Sequence, residues 1–170
     1  MSKDIDIVIY GATGFTGQLC VKYFQSLDLD IKWAIAGRNL RKLENVASKF
    51  STNVEILVAD SDDEKALKDV CSRSKVVLST AGPFHRYGSK LVATCIENDT
   101  HYVDITGENF WVKGLIEKHH KEAARKGIRI IPSCGFDSIP SDIGTFFAVR
   151  SLNKPVKRVD SFHSWKGEAS

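Results

Sequence analysis

Residues 7–17 read Ile-Val-Ile-Tyr-Gly-Ala-Thr-Gly-Phe-Thr-Gly, an apolar run that flows directly into Gly11, Gly14 and Gly17. That junction limits what the chain can fold into. A buried strand that ends in a glycine turn and opens a helix gathers unpaired backbone amides and the positive end of the helix dipole at one point. An anion, above all a pyrophosphate, fits there. The spacing is G-x-x-G-x-x-G, with the first two glycines three apart rather than two. Three glycines alone are a weak signal. Placed straight after an apolar run and close to the first residue, they read as a dinucleotide cradle. The residues it assigns are Gly11, Ala12, Thr13, Gly14, Phe15, Thr16 and Gly17.

The rest of the chain supplies the matching architecture. Strand-type runs fall at 5–10, 31–36, 54–59, 76–81, 101–106 and 129–133, and most are continuously apolar, as parallel strands covered on both faces should be. Helical stretches lie between them near 15–27, 40–50, 63–73, 88–98 and 110–126, with a further apolar helix over 141–152. Strands alternating with helices predict an α/β fold, a doubly wound parallel sheet of Rossmann type. Right-handed crossovers favour the strand order 3-2-1-4-5-6, with ligand over the carboxyl ends of the strands.

Composition narrows the function. The chain has 170 residues, enough for one substantial core and too few for two. Its charge of +3 is mild, with Lys and Arg interleaved among Asp and Glu, so nucleic acid is not an expected partner. No run reaches the length of about 18 apolar residues that a membrane span needs. The opening Met-Ser-Lys-Asp-Ile-Asp has no signal-peptide core, which makes a cytoplasmic site the expectation. Cys20, Cys71, Cys95 and Cys134 show no metal-ligand spacing, and His119 and His120 are adjacent rather than one helical turn apart. We expect neither a structural metal nor disulfides.

The type of dinucleotide is written at the end of the second strand. An NAD site places a carboxylate about 20 residues past the glycines, against the ribose hydroxyls. Here that stretch reads Ala36-Gly37-Arg38-Asn39. An arginine in that place pairs with a 2′-phosphate, so NADP is expected in preference to NAD. Asp60 closes the third strand and is placed either to meet the adenine edge or to cap a helix. Ala81, Gly82 and Pro83 end the fourth strand at the switch point, where small residues let the nicotinamide-side ribose lie on backbone. The loop that follows, Phe84-His85-Arg86-Tyr87-Gly88, is read in two ways. His85 serves as a general acid with Arg86 or Tyr87 polarising a carbonyl, or the loop faces solvent and Gly88 opens the next helix. No other residue marks itself as catalytic; Cys134, Asp137 and Asp142 fit packing, turn and cap roles.

Taken in order, IVIYGATGFTG, WAIAGRN, VVLSTAGPFHRYG, HYVDITGE and CGFDSIPSDIG resemble the saccharopine dehydrogenase-like oxidoreductases. The similarity is greater to the branch with the mycobacterial trans-acting enoyl reductases and their eukaryotic relatives than to the lysine-pathway enzymes. It runs over about residues 5–168. The resemblance implies a pyridine-nucleotide-dependent reductase with a small-molecule or lipid-type substrate. It also implies a second domain for substrate binding and for a homodimer, and in some relatives association with lipid droplets or membranes. On this reading residues 1–150 form the dinucleotide-binding domain and 151–170 begin the second, truncated domain.

An alternating stretch, Val156 to Trp165, reads as a strand of that second unit. Phe146, Phe147 and Trp165 are then expected to be exposed on the surface that meets it. Two alternatives stand beside the reductase. One is a non-catalytic nucleotide-binding or NADP-sensing fragment. The other is a short-chain dehydrogenase, whose chemistry needs a tyrosine four residues before a lysine; no such pair occurs in the sequence.

Overall fold

The computed structural model describes residues 3–27 and 29–164. The elements run β1 (Ile5–Tyr10), α1 (Phe15–Ser26), β2 (Trp33–Gly37), α2 (Leu40–Lys49), β3 (Glu55–Val58) and α3 (Glu64–Arg73). They continue with β4 (Ser74–Ser79), α4 (Phe84–Glu97), β5 (His101–Asp104), α5 (Asn109–Lys126), β6 (Ile130–Ile131) and α6 (Ile139–Arg150). All strand pairs are parallel. The sheet order is β3-β2-β1-β4-β5-β6, the doubly wound topology expected from the alternation of strands and helices.

The sheet explains why the strands read as unbroken apolar runs. In β1, Val8 and Tyr10 enter the core packed by Leu67, Val70, Leu91 and Cys95, while Ile9 between them enters the core of Val21, Leu43 and Val46. Successive side chains thus point to opposite faces, and both faces are covered. Helices α1 and α2 cover one face; α3, α4 and α5 cover the other. The amino ends are pinned by Lys3, whose Nζ donates to the carbonyls of Cys71, Ser74 and Asn98 at 2.7–3.1 Å.

Among the boundaries that depart from expectation, those of β4, β6 and α4 shape the crevice. β4 starts at Ser74 directly after α3 and ends at Ser79, so Ala81, Gly82 and Pro83 lie in the loop beyond the strand. β6 is confined to two residues, because Pro132 lacks an amide hydrogen and Ser133 turns into the left-handed region at φ 62°. α4 begins at Phe84 and not at Gly88. Its first turn is capped from a distance by Glu108, whose carboxylate accepts the Phe84 and His85 amides at 2.8 Å each. The loop reading of Phe84–Gly88 is therefore corrected to a helical one.

Beyond the sheet, α6 carries no buried residue, and Phe146 and Phe147 are 49% and 64% exposed. Among the described residues, 156–164 form no strand. The expected strand over 156–165 is thus absent as far as residue 164, and Trp165 lies outside the described residues.

Candidate nucleotide-binding site

The carboxyl ends of β1, β2 and β4 enclose a cleft of about 250 Å³. Its lining includes Gly11, Thr13, Gly14, Arg38, Ala81 and Gly82 of the residues expected from sequence. Tyr10, Gly37, Ser61, Thr80 and Tyr87 complete it. A larger groove of about 340 Å³ runs between α5 and β6, apolar and away from the glycine turn.

The turn is built by close approach. Gly11 has φ +84°, and a Cβ on it would lie 2.9 Å from the Ala81 amide nitrogen. Gly17 is held tighter: a Cβ there would meet the Gly11 carbonyl oxygen at 2.2 Å. These two glycines are demanded by the protein itself, one by the turn and one by helix-on-strand packing. Gly14 differs. A Cβ on it would find only the Gly11 oxygen, at 3.4 Å, and otherwise open space. Room at Gly14, beside an α1 N-terminus with no side-chain cap and no acid in its first turn, suits a ligand's phosphates coming onto backbone.

Thr80 holds the two halves of the cleft together, its Oγ1 lying 3.2 Å from both the Tyr10 and Gly11 carbonyls. Tyr10 is buried, donates to the Ala59 carbonyl at 3.2 Å, and has its phenol pKa pushed up by burial. Arg38 stands exposed at the rim, and none of the described acidic side chains pairs with it. A free guanidinium at that end of the cleft is available to pair with a phosphate.

Other expected residues sit elsewhere. Ala12 is fully buried in the core under the turn. Phe15 is 70% exposed and points away from the sheet core. Thr16 and Pro83 do not line the cleft, and neither does Asp60. Asp60 makes a local turn instead, accepting the Asp62 amide at 3.0 Å, while Asp63 caps α3 through the Ala66 amide. The neighbouring Ser61 takes the place at the cleft wall. Cys134 is half-buried, its thiol pKa raised by burial and by Asp104, and its Sγ is 3.3 Å from the Ile131 carbonyl. That is a packed thiol rather than an activated one.

Two carboxylates of the segment 104–108, which sequence reasoning placed beside the crevice without a role, have definite partners. Asp104 is buried at the end of β5, where its carboxylate accepts the amides of Thr106 and Ser133 and the Tyr102 hydroxyl, each at 2.9 Å. It ties the ends of β5 and β6 together. Burial raises its pKa, against the pull of those three hydrogen bonds. Glu108 accepts the two amides of α4 already described, and its Oε2 also lies 2.6 Å from His85 Nδ1. Desolvation works against its ionised form, but the His85 and Phe84 amides and the His85 ring outweigh it, and the carboxyl pKa is lowered. Nothing in the sequence links position 108 to position 85. The only signal is that both follow strands that are neighbours in the sheet.

Residues 7–131 match the family model described as the saccharopine dehydrogenase NADP-binding domain. The chain belongs to that family. This NADP-binding domain is 42% identical over 153 residues to a protein named trans-acting enoyl reductase from Mycobacterium leprae, covering 88% of the chain and 37% of that protein. It is 35% identical over 166 residues to a lipid droplet localized protein of Caenorhabditis elegans, covering 92% and 39%. The chain thus spans less than two fifths of the length of these relatives. Among solved structures, apo saccharopine dehydrogenase (L-Glu forming) from Saccharomyces cerevisiae shares the fold at a TM-score of 0.70 and 21% identity, over 86% of this chain and 32% of that one. The NADP preference expected from Arg38 agrees with the family's cofactor. No described helix is long and apolar enough to cross a membrane.

Proposed function

We propose that this chain holds the nucleotide of an NADPH-dependent reductase that acts on a lipid-type acceptor, such as an enoyl thioester. The observation that carries the reading is the pairing of an uncapped α1 N-terminus at Gly14 with an unpaired Arg38 across one cleft. In this reading the turn from Gly11 through Ala12, Thr13, Gly14, Phe15 and Thr16 to Gly17 receives the diphosphate, with Ala12 and Gly17 shaping it from beneath. Arg38 takes the 2′-phosphate, and Asp60 with Ser61 borders the adenine. Ala81, Gly82 and Pro83 receive the nicotinamide ribose. Bound there, NADPH supplies a hydride; the protein's part is to hold it, expose one ring face and keep water away.

The names of the relatives support the lipid side of this reading, since one is an enoyl reductase and another a lipid droplet protein. The all-round exposure of α6 supports a division into a nucleotide unit, 1–150, and a segment from 151 onward that leads into a substrate-binding and dimer-forming unit. A second reading, a nucleotide-holding module without turnover, draws on that same openness, because a cleft without a far wall encloses substrate poorly.

Titration of the chain with NADPH and NADH, repeated with Arg38→Ala, tests the assignment. NADPH is expected to bind the more tightly, and the variant to lose about 10- to 100-fold for NADPH while NADH changes little. Equal affinity of wild type and variant for NADPH would overturn the role of Arg38. Failure of wild type to bind either nucleotide would overturn the cleft assignment.

A further inference from the structure

The pair formed by His85 and Glu108 stands beside the residues assigned to the nucleotide and is used by none of them. We propose that His85 is the proton donor of the reduction and that Glu108 is the residue that positions it, an inference that rests on the reductase reading above.

Placement comes first. His85 lies in the first turn of α4, two residues past Pro83, and Glu108 precedes α5 at the neighbouring strand end. The glycine turn and Arg38 occupy the β1 and β2 side of the crevice. A dinucleotide with its phosphates on that side carries its reactive ring toward β4 and β5, where the pair stands.

Orientation follows from the hydrogen bonds. The Glu108 carboxylate is an acceptor only, and it takes two backbone amides and the imidazole Nδ1. The ring proton on that side therefore belongs to Nδ1, which leaves Nε2 as the working nitrogen. Nε2 has no partner among the described residues, and the His85 side chain is 51% exposed. The spacing of the pair is rigid, because the first turns of α4 and α5 are locked. Phe84 and Trp111 rings pack at 5.9 Å, and the Trp111 indole donates to Ser89 Oγ at 2.9 Å. A helix cap needs only the carboxylate and the two amides; the imidazole is held in addition to them. The exposed Phe110 ring, 5.6 Å from the His85 ring, gives an apolar flank to whatever reacts there.

The step balances simply. An acceptor carbon conjugated to a carbonyl gains the hydride with its electron pair, and the dihydronicotinamide is oxidised to NADP⁺. The Nε2–H bond of the His85 imidazolium breaks, and its proton goes to the carbonyl oxygen or the carbon beside it. The ring is left neutral, with Nδ1–H still on Glu108, until water returns a proton to Nε2.

The test uses the full chain with ¹⁵N-labelled histidines, read by long-range ¹H–¹⁵N spectra. Wild type is expected to carry the Nδ1 proton at His85, and Glu108→Gln to mix the tautomers. Saturation with NADP⁺ is expected to move the His85 ring signals, whereas 2′,5′-ADP, which lacks the nicotinamide, leaves them in place. Failure of both ligands to bind overturns the nucleotide assignment and this inference with it. NADP⁺ binding that leaves the His85 signals unmoved overturns the proton-donor role alone.

Reduction of trans-2-octenoyl-N-acetylcysteamine by NADPH supplies the kinetic arm. His85→Gln is expected to lower kcat at least about 100-fold. Glu108→Gln is expected to lower kcat about tenfold, with Glu108→Asp recovering part of the loss. His85→Gln turnover within about threefold of wild type overturns the assignment.

Discussion

Gly88 lies so close to Trp111 that a Cβ on it would sit 2.7 Å from the indole Cζ2. This contact, in the second turn of α4, lets α4 and α5 bring their first turns together. Gly88→Ala pushes the indole away. The expected cost is that of overpacking a core, about 1–3 kcal/mol of unfolding free energy, measured by urea denaturation. The same variant should loosen the His85–Glu108 contact, read as a shift of the His85 ring signals.

Gly17→Ala is expected to be worse than Gly88→Ala. The new methyl would meet backbone on both sides, the Gly11 oxygen at 2.2 Å and the Ala12 Cα at 2.8 Å. An indole ring can tilt, and a turn pinned by Thr80 cannot. A loss of about 3 kcal/mol or more is expected, with weakened NADPH binding, and a stability within 1 kcal/mol of wild type would contradict it.

Acid should weaken the fold through Glu108. Its native carboxyl pKa lies below the ordinary 4.5, so the fold favours the ionised form. Stability from this group is complete above the ordinary value and drains away as the pH falls through the lower native one. Urea midpoints measured from about pH 6 to about pH 3 should fall in wild type, and Glu108→Gln should flatten that acid limb.

Exposed Phe146 and Phe147 give a concentration-dependent prediction. With α6 unburied on every side, the chain should self-associate as its concentration rises. Changing both phenylalanines to serine should keep it monomeric by analytical ultracentrifugation, and unchanged association in the double variant would count against this face.

Most of the sheet was legible because parallel strands covered on both faces leave apolar runs, and Val8, Ile9 and Tyr10 each enter a core. The glycine turn was legible because its spacing is local: Gly17 answers to Gly11 and Ala12 in the same strand–turn–helix unit, although the space at Gly11 is closed by Thr80 and Ala81 across the sheet. The start of α4 was not, because its cap comes from Glu108, distant in sequence and adjacent only once β4 and β5 pair. Asp60 was left between two roles for a similar reason. Three acids, Asp60, Asp62 and Asp63, compete for the end of β3, and only geometry shows that Asp63 takes the helix. Tyr10 and Thr80 read as plain strand residues, since nothing local says that a cleft opens beside them.

Glu108 has one more consequence. A crevice at the carboxyl edge of such a sheet is faced by the amino ends of several helices, and each would attract an anion equally. Here α2 is sealed by Asn39, α3 by Asp63 and α4 by Glu108. Of these first four helices, α1 alone keeps its amides unclaimed by a side chain. Among α1 to α4 the crevice therefore offers a single open pole, and it lies on the β1 side, where two joined phosphates can meet the glycine turn.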